Sequence, residues 1–147
     1  MPELSAEEIQ AGVFARLEKY KKLNLLEHFG MFMGIVQVLE LNLKLLLHRR
    51  FQLELEVMER WTLGRVSTEL KNRGVRPDFT HLLDSLVRYR NHIAHSLLAN
   101  EMMLRDLMGG RETRFEVREL HKGTYELEQL WLLHDWTEAN DAWMPVQ

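Results

Sequence analysis

The segment from Asn24 to about Arg50 constrains the fold more than any other part of the chain. Val36, Leu39, Leu43 and Leu47 recur on one stripe at helical spacing, and Ile35, Val38, Leu41, Leu45 and Leu46 widen it. Such breadth predicts a helix buried on more than one side, which other helices must cover. Its most apolar part, Phe29 to Leu39, falls far short of the roughly 20 residues a membrane span needs. Glu27, Gln37 and Glu40 punctuate it, so it reads as a core helix and no membrane association is expected.

The rest of the chain supplies partners for that helix. Ser5-Ala6-Glu7-Glu8 has the form of a capping box and predicts a helix to about Lys22, with Ile9, Val13, Leu17 and Tyr20 at helical spacing. Thr62-Leu63-Gly64 opens a shorter helix through Leu70, and Gly74 ends it. Pro77-Asp78 starts another, running to about Leu98. On it Leu82, Leu86, Tyr89, Ile93 and Leu97 form a core stripe, while Asp84, Arg88, Asn91 and His95 fall on the opposite side. Gly109-Gly110 breaks the chain, and Phe115 and Val117 alternate toward a turn at His121-Lys122-Gly123, which predicts a small β-hairpin. A last helix is expected from Thr124 to about Ala142, with Tyr125, Leu132, Trp136, Ala139 and Trp143 on one stripe and Leu127, Leu130 and Trp131 elsewhere around it, so it is expected to be either central in the bundle or shared with another subunit. The expected fold is all-α: one domain over residues 1–147, a bundle of four to five helices with one irregular insertion before the last.

Composition removes several function classes. The chain has no Cys, which excludes disulfide frameworks, Cys-based zinc sites and thiol nucleophiles, and fits a reducing cytoplasm. The acidic N-terminus lacks the basic region of a signal peptide. A net charge of −3 argues against a general polyanion-binding surface. A local basic patch can still bind phosphates, and Arg49, Arg50, Arg73, Arg76, Arg88 and Arg90 are the candidate cations.

The chemistry concentrates in Arg90-Asn91-His92-Ile93-Ala94-His95. Asn91 and His95 are four apart and share a helix face. Arg90 and His95 diverge by about 140° on an ideal helix, so a shared substrate requires a distorted helix, a long reach by Arg90, or a second copy across a dimer axis. Imidazole titrates near neutrality and moves protons. Guanidinium stays charged and forks onto phosphate oxygens. Asn adds a neutral donor and acceptor.

This hexapeptide resembles the signature of the HEPN superfamily (higher eukaryotes and prokaryotes nucleotide-binding), in which an Arg, often followed by a polar residue, precedes a His by a short gap. The resemblance implies a dimerising helical domain that brings two motifs together. It also implies a metal-independent endoribonuclease, of a kind found in toxin–antitoxin, defence or RNA-processing systems. On this chain His95 would be the acid/base at the ribose 2′-hydroxyl. Arg90 would hold the phosphate and Asn91 would orient the histidine or the phosphate. The expected partners are RNA, a second copy of the chain and an antitoxin or similar protein, with no cofactor. The alternative is a non-catalytic dimeric binding or scaffold protein on the same fold. Some relatives that pair with a nucleotidyltransferase carry a Tyr two residues after the motif His; Leu97 stands there in this chain, which argues against that pairing.

Other features carry less. His92 and His95 are three apart, but no third ligand at a suggestive spacing accompanies them. His134 and Asp135 are adjacent and should point about 100° apart, which is not a preformed dyad. The Met residues and Trp131, Trp136 and Trp143 are expected to pack the core or a dimer interface.

Overall fold

A computed structural model describes residues 3–96 and 114–145, with only the backbone for 114–116. The elements are α1 (Ala6–Leu17), a 3₁₀ turn (Glu18–Tyr20), α2 (Leu25–Phe51), α3 (Leu55–Met58), α4 (Leu63–Asn72), α5 (Pro77–Ser96) and α6 (Arg114–Ala139). All described regular structure is helical.

Local chemistry sets most of the ends. Ser5 and Glu8 form the expected reciprocal capping box, and Asn24 and Glu27 form a second at the start of α2. Thr62 caps α4 by accepting from Arg65 N. Gly74, at φ +79°, takes the left-handed conformation after α4. Pro77 sits at the first position of α5, where its missing N–H costs nothing.

Four helices make the bundle. Glu3 shares a cavity wall with Trp136 and Asn140, Gly12 abuts Leu132, and Tyr20 reaches Glu128, so α1 runs antiparallel to α6. The pairs His28–Thr124 and Arg50–Asp141 make α2 parallel to α6. The ring contact Phe79–Trp143 and the contact of Ile93 with Gly123 make α5 antiparallel to it. Short α4 packs on the outside of α5 and α2. The core runs through Phe32, Leu39, Leu43 and Leu47 of α2, Val66 and Leu70 of α4, Phe79, Leu83 and Leu86 of α5, and Leu127 and Leu130 of α6.

Three sequence expectations are corrected here. The predicted hairpin and its turn at His121-Lys122-Gly123 are instead the continuous first part of α6. The cause is packing: a Cβ on Gly123 would lie 2.7 Å from Ile93 Cδ1 and 3.4 Å from the Phe32 ring. Gly123 therefore lets three helices close together, and that contact outweighs its roughly 1 kcal/mol helix penalty. Of the two apolar sides expected on the last helix, the named stripe is the less buried, apart from Trp143. Tyr125, Leu132 and Trp136 are only half-buried, while Leu120, Leu127 and Leu130 are buried. Among the residues expected to widen the buried stripe of α2, Leu46 is buried but Val38, Leu41 and Leu45 are exposed, as is Leu26.

By length and composition the whole of α2, at 27 residues, is apolar enough to cross a membrane, although its most apolar part, Phe29 to Leu39, is too short to do so. A core helix passes the same test, and α2 buries His28 and Lys44 along with its apolar face. Residues 97–113, with Leu97 and Gly109-Gly110, lie outside the described residues.

Candidate functional site

The motif occupies the last turns of α5, held there by Ile93, which is buried between Phe32 and Gly123. That anchor turns Arg90 and Asn91 toward the start of α4. Together with Glu40, Trp61, Thr62, Leu63 and Gly64 they line a cavity of roughly 350 Å³. Arg90 Nη1 donates to Asn91 Oδ1 at 3.2 Å, which fixes the amide so that its NH₂ remains available as a donor. Arg90 is half-buried; Asn91 and His95 are exposed.

The structure thus brings Arg90 and Asn91 together but leaves His95 outside their cavity. His92 lines a different groove, with Ser85, Arg88, Tyr89 and Glu119. The divergence of about 140° expected between Arg90 and His95 on a regular helix is not relieved by any helix break, since α5 is continuous to Ser96.

One feature of the cavity was not singled out in the sequence: the N-terminal end of α4, whose leading N–H groups lack intrahelical acceptors and carry partial positive charge. It faces Arg90 because α4 folds back against α5, a contact no local pattern announces. Glu40 opposes it with a carboxylate, but that carboxylate pairs with Lys44 at 3.3 Å.

The remaining cations of the sequence list are largely committed. Arg49 pairs with Glu138, Arg50 with Asp141, Arg73 with Glu69 and Arg76 with Asp78. Asp84, expected on the open face of α5, instead accepts from the buried Ser67 hydroxyl at 2.7 Å and pairs with Lys71. Burial acts to raise its carboxyl, yet Lys71 and Ser67 outweigh that and hold it below the usual carboxylate range. Burial pushes the Glu126 carboxyl up, only partly offset by Arg88 and His81. The adjacent His134 and Asp135, expected to diverge, are hydrogen-bonded at 3.1 Å, and Asp135 also takes Arg16. Trp143 is buried in the core, as expected, whereas Trp131 and Trp136 are half-buried.

No group of three or more metal-ligating side chains occurs among the described residues. No protein-family model matches the chain, and no curated protein or solved structure matches it.

Proposed function

We propose that the chain is a metal-independent endoribonuclease of HEPN type, acting as a homodimer through Arg90, Asn91 and His95. The observation that carries this reading is the cavity at the start of α4. A guanidinium, a side-chain amide donor and a helix N-terminus converge on a space large enough for a phosphate. An acid/base histidine is exposed one and a half turns further along the same helix.

In this reading Arg90 and the α4 N-terminus hold the phosphate and stabilise charge on its oxygens. His95 removes the proton from the ribose 2′-hydroxyl as that oxygen bonds to phosphorus; the bond from phosphorus to the 5′-oxygen breaks, and the departing oxygen takes a proton from water to become the 5′-hydroxyl. Because His95 lies outside the cavity of its own chain, the complete site takes His95 from a twofold partner. The exposed apolar face of α2, bearing Leu26, Val38, Leu41 and Leu45 with open Gly30 and Gly34, is the proposed dimer surface. Glu40, next to Leu41 in α2, is part of the cavity wall. The few uncommitted cations and the net charge of −3 suit a restricted RNA rather than general degradation. The proposed setting is cytoplasmic, in toxin–antitoxin, defence or RNA-processing systems, with an antitoxin or similar protein as a further partner.

The test is cleavage of host RNA in excess EDTA. The expected products end in a 2′,3′-cyclic phosphate and a 5′-hydroxyl, and DNA stays intact. Absence of any cut in host RNA by pure dimer points instead to a non-catalytic binding or scaffold protein.

A further inference from the structure

On the opposite side of α2 from the exposed stripe, the 3₁₀ turn, the start of α2 and the start of α6 enclose a larger cavity, of roughly 680 Å³. Its size is that of a small-molecule pocket. Its walls combine apolar side chains with the rings of Tyr20, His28, His121 and Tyr125. His28 lies 4.9 Å from Tyr20 and 5.1 Å from His121, centroid to centroid.

The protonation of His28 follows from its partners. His28 is buried, and its Nε2 lies 2.8 Å from Thr124 Oγ1. The Thr124 hydroxyl has one proton and donates it to Leu120 O at 2.7 Å. Nε2 must therefore be the donor, and Nδ1 carries the lone pair. No partner for Nδ1 occurs among the described residues. It is also not one of the sealed, unpartnered polar atoms, which among the described residues are Glu126 Oε2 and Trp131 Nε1. An unsealed acceptor on a buried ring that lines a cavity opens into that cavity.

We infer that this cavity binds a small, uncharged, planar aromatic molecule carrying an N–H or O–H group, which donates to His28 Nδ1. Charge argues for neutrality. A bare lone pair repels an anion, and the lining Lys21 is paired with Glu18. Behind Tyr20 the buried Glu128 is already matched by Lys19. The ring walls select a flat ligand through stacking and edge contacts. The Asn24 carbonyl is used by the α2 capping box, so its amide NH₂ can serve a carbonyl on the ligand. The inference is independent of Arg90, Asn91 and His95.

Titration of the full chain at neutral pH with indole, and with its isostere benzothiophene that lacks the N–H, tests it. Saturable indole binding at millimolar concentrations is expected. His28→Phe should weaken indole about tenfold, the size of one lost hydrogen bond, and leave benzothiophene unchanged. Leu23→Trp, which fills the cavity without touching the His28 network, should abolish binding of both. This second variant decides the matter if His28→Phe does not fold. No saturable binding of indole, equal indole affinity in folded His28→Phe, or binding that survives Leu23→Trp would each overturn the inference.

Discussion

Acidification should destabilise the protein through His28 in a window set by its burial. In the unfolded chain an imidazole titrates near 6.5. In the folded protein burial first, and the neighbouring His121 second, lower His28 to about 4. Above about pH 6.5 the ring is neutral in both states and its contribution to stability is fully present. As pH falls toward 4 the unfolded chain takes a proton that the folded state refuses, so stability is lost across that interval. A depression of this size corresponds to at most about 3 kcal/mol, and access to the adjacent cavity reduces this to roughly 2 kcal/mol. Urea unfolding of wild type and His28→Gln at neutral pH and near pH 4.5 reads the effect. Glutamine cannot titrate but keeps an amide donor for Thr124. The cost of His28→Gln should therefore shrink by about 2 kcal/mol as pH falls. An equal cost at both pH values would show that His28 is not held neutral by the fold.

The packing makes three further demands. Leu86→Ala should lose roughly 2–5 kcal/mol in denaturant unfolding, because Leu86 is fully buried in the core of α5; a loss under about 1 kcal/mol would misplace the core face. Asp84→Ala should cost about 1–2 kcal/mol, more than an open-face carboxylate would, since it strands the buried Ser67 hydroxyl. Gly123→Ala should cost about 1–3 kcal/mol through overpacking against Ile93, and Ile93→Val should recover part of it in the double variant; additive losses would refute the contact.

The helical architecture was legible in the sequence where single residues dictate backbone geometry. Ser5, Thr62, Gly74 and Pro77 mark their boundaries by local hydrogen bonding or fixed dihedrals, and the structure places them where expected. Gly123 was misread because a glycine at a close helix crossing and a glycine in a turn look alike until the partner side chains are known. The sequence showed the last helix apolar on two sides, in keeping with its packing against both α1 and α5, but not which of its apolar residues are the buried ones, because that depends on the partner helices. At the motif, the helix periodicity separated Arg90 from His95 in advance, and the single-chain cavity excludes His95. The α4 end of that cavity, and the group of Tyr20, His28, Thr124 and Glu128, join residues from distant parts of the chain, so nothing local reveals them.

The most direct measurement of the central claim is the rate of RNA cleavage in EDTA by wild type, His95→Ala and His92→Ala prepared identically. The proposed role of His95 as acid/base predicts a rate lower by roughly 10²–10⁴ in His95→Ala, with unfolding behaviour unchanged because that side chain is exposed. His92→Ala, altered in a separate groove, should cut at close to the wild-type rate. Cleavage that continues unchanged in His95→Ala, or that falls equally in both variants, would contradict the account.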